Sequence, residues 1–90
     1  SGFNVYPTEI EDVIASHPPV LEVGVQGVSH KKSIEVPKAF IVKKDDSLSE
    51  EDIEAFCRQT MASYKVPKYF VFRDDLPKTN IGKVLRKDLA

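Results

Sequence analysis

The run Ala39-Phe40-Ile41-Val42 has apolar side chains at four consecutive positions. Neighbouring side chains of an extended strand point to opposite faces of its sheet. Phe40 and Val42 therefore share one face, and the residue before each of them lies on the other. A strand that is apolar on both faces must be covered on both. We therefore predict that residues 37–43 form a central or well-covered strand.

Two further strands are predicted around this one. Residues 21–28 alternate between apolar and polar side chains, as a half-buried strand does. Gly24 and Gly27 within this segment indicate a bulge or a place of close packing. Residues 69–72 form a short third strand. The polar residues 29–36 are predicted to be a connection between the first two strands.

Three segments are predicted to be helical: 7–17, 49–62 and 84–89. Pro7 suits a first helical turn because it has no N–H to leave unpaired, and Ser49 begins a sequence that resembles a capping box. The order of elements is helix, strand, strand, helix, strand, helix. This order predicts an α+β fold with a small three-stranded sheet, mixed or antiparallel, and helices packed on its faces.

The composition is that of one small globular domain. Ninety residues suffice for one small domain, and 41% hydrophobic with 30% charged residues is ordinary for a globular protein. The single cysteine, Cys57, excludes an internal disulfide and fits a reducing compartment such as the cytoplasm. Its position on the apolar side of the second helix favours a core thiol over a reactive one. Both ends of the chain suggest a domain taken from a longer protein.

Common catalytic and metal-binding patterns are missing from the sequence. It has neither a P-loop nor a dinucleotide-binding glycine motif. His17, His30 and Cys57 do not have zinc-site spacing, so no metal site is predicted. Ser29 precedes His30, but nothing marks the third member of a nucleophilic triad. His30 is expected to be solvated in the polar connection, and His17 to lie at a helix end.

Charge is distributed unevenly along the chain. Residues 1–60 hold 6 Lys and Arg against 11 Asp and Glu, a net −5, and residues 61–90 hold 7 against 3, a net +4. The basic part could face an anionic ligand, or the two parts could complement each other in the fold. Within it, Lys83 follows Gly82. A lysine on a flexible stem can reach a phosphate, but Gly-Lys alone is more typical of a solvated loop.

Three segments of the chain, considered together, indicate a function more specifically than the Gly-Lys pair does. They are SGFNVYPTEIEDVI at 1–14, YKVPKYFVF at 64–72 and LPKTNIGKVLRKDL at 76–89. In this order they closely resemble motifs of the adenylate-forming enzymes, the superfamily of acyl-CoA synthetases, peptide-synthetase adenylation domains and firefly luciferase. The resemblance covers the whole chain and is strongest to bacterial long-chain fatty acid–CoA ligases.

The resemblance implies a domain and a reaction. Residues 1–90 look like the small C-terminal lid domain of such a ligase, without the N-terminal domain that binds ATP and the acid and without the hinge. The reaction has two steps, formation of an acyl-adenylate from a fatty acid and ATP, then thioester formation with coenzyme A. ATP with Mg²⁺ is implied to bind mainly to the absent N-terminal domain, with coenzyme A as co-substrate. The 90-residue domain is expected to be inactive alone.

The resemblance also implies roles for particular residues. Lys83 matches the catalytic lysine that the lid delivers to the α-phosphate of ATP. Ser1, Gly2 and Phe3 match a segment that lines the coenzyme A tunnel in a second lid position. Asn4 matches a position facing the nucleotide, although it could instead cap the first helix.

Four more motif residues have open roles: Tyr64, Lys65, Arg86 and Lys87. The first two lie near the coenzyme or, as we favour, are a packing tyrosine and a surface lysine. Arg86 and Lys87 attract coenzyme phosphates or the partner domain or, as we favour, take part in a structural or interdomain ion pair. Pro7, Glu9 and Glu11 are interpreted as helix-start residues.

Other functions are compatible with parts of this pattern. The domain could belong to a ligase for another acid, such as an aryl or short-chain acid, or one that uses a carrier-protein acceptor. It could also be a non-enzymatic interaction or binding module, for example for RNA, although the sequence has little interleaving of basic and aromatic residues on a strand face to support RNA binding. The expected partners are the protein's own N-terminal domain, fatty acid, ATP and coenzyme A, and no nucleic acid. A cytoplasmic location is expected, with peripheral membrane association of the full-length enzyme left open.

Overall fold

The computed structural model describes residues 5–31 and 34–89. Two α-helices and three strands appear in the order α1 (Pro7–Ala15), β1 (Val20–His30), β2 (Ile34–Lys43), α2 (Glu50–Thr60) and β3 (Tyr69–Phe72). Single 3₁₀ turns occupy Ser63–Lys65 and Arg86–Asp88. The predicted α+β class and three-stranded sheet are confirmed. No helix among these residues is long and apolar enough to cross a membrane.

The sheet has the order β1-β2-β3 and is mixed. β1 pairs with β2 in antiparallel fashion, and β2 pairs with β3 in parallel. In this register Phe40 lies between Gly24 of β1 and Val71 of β3. The central position predicted for residues 37–43 is therefore confirmed.

The two faces of β2 are covered by different kinds of structure. Ala39 and Ile41 belong to the larger core, which the two helices complete on one side of the sheet. Phe40 and Val42 belong to a smaller core on the other side, which is closed by Leu76 and Leu89. We refer to residues 76–89 as the C-terminal segment. Helices thus cover one face, and a largely irregular segment covers the other instead of the helix predicted there.

The helix starts follow their sequence signals. Pro7 lies in the first turn of α1, and Ser49 caps α2 with a complete capping box in which its side chain and that of Asp52 each accept a backbone N–H. α1 ends at Ala15 rather than continuing to residue 17, because Ser16 caps it before the two prolines. α2 similarly ends at Thr60.

The polar connection predicted for residues 29–36 is wrong. β1 continues to His30 and β2 begins at Ile34, so the two strands pair along most of this stretch. Lys31 lies in the turn between them with a φ of 44°, and its carbonyl accepts the Ile34 N–H. Backbone groups make the ladder, so polar side chains on a hairpin do not prevent it.

The helix predicted for residues 84–89 is also wrong in type. Val84 forms a β-bridge with Lys78, and the Leu85 N–H donates to the Pro77 carbonyl 2.9 Å away. These backbone groups are therefore engaged across the chain and not along a helix. Only Arg86–Asp88 winds into a 3₁₀ turn.

Candidate functional site

Lys83 lies on a short hairpin formed by residues 77–85, which we call the Lys83 hairpin. Its base is the antiparallel bridge between Lys78 and Val84. Nearer the tip, the Thr79 N–H donates to the Lys83 carbonyl over 2.7 Å. The backbone of Lys83 is therefore held in place by contacts that cross the hairpin.

Gly82 and Thr79 shape the tip of the hairpin. Gly82 has a φ of +88°, a left-handed conformation that suits glycine, and its N–H donates to the Thr79 carbonyl over 2.9 Å. The Thr79 hydroxyl oxygen accepts the Lys83 N–H at 3.1 Å. Gly82 therefore takes a backbone conformation that residues with a side chain rarely adopt. The role of Thr79 was not predicted, although threonine is typical of such local side chain–backbone turns.

The Lys83 side chain is exposed and forms no ion pair with any residue in the described part of the chain. Three other cations of the basic part, Lys65, Lys78 and Arg86, each have a carboxylate partner. Part of the net +4 is therefore neutralised within the fold, as one reading of the charge pattern predicted. Lys83 remains available for an external anion.

Lys78 fastens the base of the hairpin to its surroundings. Its ammonium lies 2.7 Å from Asp75 and 3.1 Å from Glu22 of β1, and it donates to the Leu76 carbonyl. The hydrogen bond to Asp75, followed by the ion pair with Glu22, raises the pKa of Lys78. The same bond lowers the pKa of Asp75. Lys78 therefore stays charged and continues to hold the hairpin.

The hairpin and the residues after it rest directly on the backbone of β1 at Gly24. A Cβ added there would lie 2.8 Å from Cγ1 of Val84 and 2.9 Å from Cδ1 of Leu89. Both distances are shorter than normal van der Waals contact. The close packing predicted at Gly24 is confirmed, and it sets how near the C-terminal segment can approach the sheet.

Arg86 links the C-terminal segment to α1. Its guanidinium donates to both carboxylate oxygens of Glu11, at 2.7 and 3.0 Å, and to the Thr8 hydroxyl at 2.9 Å. Glu11 also accepts the Val25 N–H of β1 at 2.8 Å. The ion pair favoured for Arg86 is therefore present within this domain. Glu11 joins three parts of the fold and is more than a helix-start residue.

Replacing Glu11 with alanine is expected to lower the free energy of unfolding by about 1–2 kcal/mol, because it leaves the buried Val25 N–H and the Arg86 guanidinium without their acceptor. Glu54→Ala is the control, since Glu54 forms only an exposed pair with Arg58 on α2. That change is expected to cost about 0.3–0.5 kcal/mol. Urea unfolding of the domain measures both. Equal losses would contradict the structural role of Glu11.

Tyr6, Tyr64 and Lys65 form a separate cluster beside α1. The tyrosine rings meet edge to face with centroids 6.3 Å apart, and the Lys65 ammonium lies 5.2 and 5.5 Å from them. Lys65 also bonds to Glu9, and this hydrogen bond raises the pKa of Lys65. The lysine side chain is only 17% exposed, and Tyr64 is 66% exposed. The surface position favoured for Lys65 is therefore wrong, because this lysine is paired and largely covered. Tyr64 packs on Tyr6 as favoured, but it is the more accessible of the two.

The other candidate residues either contact residues within the fold or lie outside the described part of the chain. Cys57 is buried, and burial raises the pKa of its thiol to about 11, which confirms a core thiol. His17 stacks on Phe56, with ring centroids 4.2 Å apart. His30 was expected to be solvated, but its Nδ1 lies 2.7 Å from the Tyr69 hydroxyl. Ser1, Gly2, Phe3 and Asn4, the predicted coenzyme A and nucleotide residues, lie outside the described residues.

Comparison with known proteins finds relatives that are CoA ligases. The chain is 57% identical over 89 residues to a long-chain-fatty-acid–CoA ligase of Escherichia coli O157:H7, covering 99% of this chain and 16% of that protein. It is 46% identical over 88 residues to a 2-succinylbenzoate–CoA ligase of Bacillus mycoides, covering 98% and 18%. The chain therefore spans about a sixth of the length of these relatives.

A solved structure has the same fold. The o-succinylbenzoate CoA synthetase of Bacillus subtilis, in complex with its acyl-adenylate intermediate, superposes with a TM-score of 0.90 at 39% identity, over 99% of this chain and 18% of that one. The same enzyme in complex with ATP and a magnesium ion gives 0.88 at 38% identity, with the same coverage.

Family membership follows from a match over most of the chain. Residues 9–83 match the AMP-binding enzyme C-terminal domain, and this stretch includes most of α1, the whole sheet and the hairpin as far as Lys83. The chain belongs to the AMP-binding enzyme C-terminal domain family.

Proposed function

We propose that this domain is the C-terminal part of a long-chain fatty acid–CoA ligase. The observation that supports this substrate class is the 57% identity to the Escherichia coli long-chain ligase, against 46% to the 2-succinylbenzoate ligase. The proposed partner of the domain is the larger N-terminal part of the same polypeptide. The proposed location is the cytoplasm, with or without peripheral membrane contact.

The proposed reaction has two steps. A carboxylate oxygen of the fatty acid attacks the α-phosphorus of ATP, and the bond to the bridging oxygen breaks so that pyrophosphate leaves with the electron pair. The thiolate sulfur of coenzyme A then attacks the acyl carbon of the adenylate. The carbon–oxygen bond to AMP breaks, and AMP leaves. ATP supplies the leaving group in the first step, and a magnesium ion bound with it offsets phosphate charge.

Lys83 is assigned to the first step. When the carboxylate approaches the α-phosphate, negatively charged oxygens crowd together, and a cation beside them lowers the barrier. One unit charge at 4 Å contributes about 4 kcal/mol where the effective dielectric constant is near 20. Lys83 suits this role because its ammonium is unpaired among the described residues and its backbone is held by the hairpin.

The second step is assigned to the other end of the domain. Ser1, Gly2 and Phe3 are proposed to line the path of the pantetheine arm, and Asn4 to face the nucleotide. The chain that follows them enters α1, whose Glu11 contacts both β1 and Arg86 of the C-terminal segment. α1 and the Lys83 hairpin are thus parts of one packed unit. Rotation of that unit would withdraw Lys83 and bring the N-terminal segment to the reaction centre.

A second candidate is a CoA ligase for an aromatic acid. The 46% identity to a 2-succinylbenzoate ligase and the superposition on the Bacillus subtilis synthetase favour it over a non-enzymatic module. It shares the adenylate chemistry assigned to Lys83 and differs in the acid that is activated.

The substrate class is tested by measuring acid-dependent release of AMP and thioester formation by the full-length protein. We expect a long-chain fatty acid to give a kcat/KM at least about tenfold above 2-succinylbenzoate or a short-chain acid, since a pocket gains affinity with each buried methylene. The isolated 90-residue domain is the control and should release no AMP. Preference for 2-succinylbenzoate would favour the second candidate, and no activity with any acid would refute both.

A further inference from the structure

Ile81 lies at the tip of the Lys83 hairpin, two residues before Lys83. Its side chain is 78% exposed, more than any other large hydrophobic residue in the described part of the chain. It stands between two exposed polar or small residues, Asn80 and Gly82. Tight turns favour glycine, asparagine, aspartate and serine. A β-branched aliphatic side chain at this position is therefore a local departure from turn chemistry.

The exposed position of Ile81 is built into the hairpin. The hydrogen bonds from the Gly82 N–H to the Thr79 carbonyl and from the Thr79 N–H to the Lys83 carbonyl close the loop around it. Departures from local rules are expected mainly at functional sites. The tip of the hairpin thus presents one apolar group and, two residues on, one free cation.

The length of the relatives shows that a much larger part of the polypeptide is available to contact Ile81. This chain spans 16–18% of them, so most of the enzyme lies outside it. If Lys83 enters a reaction centre in that larger part, as the proposed function requires, the residue two positions away must arrive at the same surface. Lysine loses side-chain freedom when it is held in one place. A fixed contact beside it would limit the positions that its ammonium can occupy.

We propose that Ile81 is a positioning residue, which inserts into an apolar socket on the larger part of the same polypeptide while Lys83 is at the acyl-phosphate centre. The socket holds the hairpin in register, and Ile81 leaves it when the domain rotates for the second step. This proposal rests on the role proposed for Lys83 and adds the residue that orients it.

The experiment compares Ile81→Ser, Ile81→Leu and Ile34→Ser in the full-length protein. Pyrophosphate release measures the first step, and thioester formation from supplied acyl-adenylate measures the second. Ile81→Ser is expected to slow the first step about 10- to 100-fold, the loss that corresponds to one buried aliphatic side chain. The second step is expected to change by less than about twofold, because the hairpin is then withdrawn. Ile81→Leu, which keeps the apolar volume, is expected to retain most of the first-step rate.

Ile34→Ser is the matched control. Ile34 is another exposed isoleucine, 43% accessible, at the end of the sheet where β2 pairs with His30. Gly24, which supports the hairpin, lies six residues from His30, or about 20 Å along β1. Serine at position 34 is expected to leave both steps unchanged. Thermal unfolding of all the variants should stay close to that of the parent, since neither side chain is buried in the domain.

The outcomes separate this inference from the proposed function. A normal first step in Lys83→Ala would refute the role of Lys83 itself. A slow first step in Lys83→Ala together with a normal one in Ile81→Ser would refute only the socket. Equal losses in both steps for Ile81→Ser would also refute it. Dissociation of an oligomer on introducing Ile81→Ser, seen by sedimentation, would show that a second copy covers Ile81 and would overturn the intramolecular contact.

Discussion

Lys83→Ala in the full-length protein is expected to slow acyl-adenylate formation by about 10²–10³-fold, which is the loss typical of removing one preorganised group that stabilises transition-state charge. Thioester formation from supplied acyl-adenylate is expected to survive, because in the proposed second step a different part of the domain lies at the reaction centre. The measurement is a split assay, with pyrophosphate release for the first step and thioester for the second.

Alanine at position 83 is expected to leave the fold of the hairpin unchanged. The Lys83 side chain is exposed, and the hydrogen bonds of residue 83 to Thr79 use backbone atoms that alanine retains. Lys44→Ala is the control, since Lys44 is another exposed lysine and lies outside the three motif segments. It is expected to leave the first step within about twofold, as surface substitutions away from functional features usually do. Equal loss of both half-reactions in Lys83→Ala would remove the case for a lysine dedicated to adenylation.

The sheet and helices were predictable because the spacing of apolar side chains along the sequence indicates which side chains are buried. The run at 39–42 required cover on two faces, and the structure provides it with helices on one side and Leu76 and Leu89 on the other. Periodicity does not report which backbone groups pair. For that reason the hairpin between β1 and β2 was predicted too short, since its outer pairs such as Ser29 and Glu35 involve polar side chains.

The C-terminal segment shows a second limit of periodicity. Leu85 and Leu89 have the spacing of one helical turn, and Leu89 is indeed buried. The segment nevertheless folds as a hairpin and a 3₁₀ turn, because its backbone bonds to Pro77 and Thr79 compete with helix formation. Six residues are also too few for a helix to be stable without strong tertiary support. Spacing identified the buried residue and not the element that contains it.

The candidate site was predictable only in part. Lys83 was identified from its motif, and the structure adds that its hairpin is held at the tip by Thr79. Glu11 lies 75 residues from Arg86 in sequence, so the bidentate pair between them could not be identified without the fold. The same is true of the contact between Gly24 and the C-terminal segment. Local signals thus located the catalytic candidate, whereas its support comes from long-range contacts.

That support leads to a large expected effect at Gly24. Gly24→Val is expected to destabilise the domain by about 3 kcal/mol, the upper end of the usual cost of overpacking. A Cβ at this position would lie within 3 Å of side-chain atoms of Val84 and Leu89, and Leu89 is only 1% exposed, so its atoms have little room to move. Because Val84 forms the base of the Lys83 hairpin, its displacement should also slow the first step of the full-length enzyme.

Gly27→Val is the matched control on the same strand. A Cβ at Gly27 would meet the side chain of Glu35, at 2.8 Å, but Glu35 is exposed and its flexible end can move away. We expect this change to alter stability by less than about 1 kcal/mol, since valine favours strands. Urea unfolding of the domain and the split assay of the full-length protein measure both variants. If Gly24→Val unfolded like Gly27→Val and kept its first-step rate, the packing of the hairpin on β1 would not be what holds Lys83 in position.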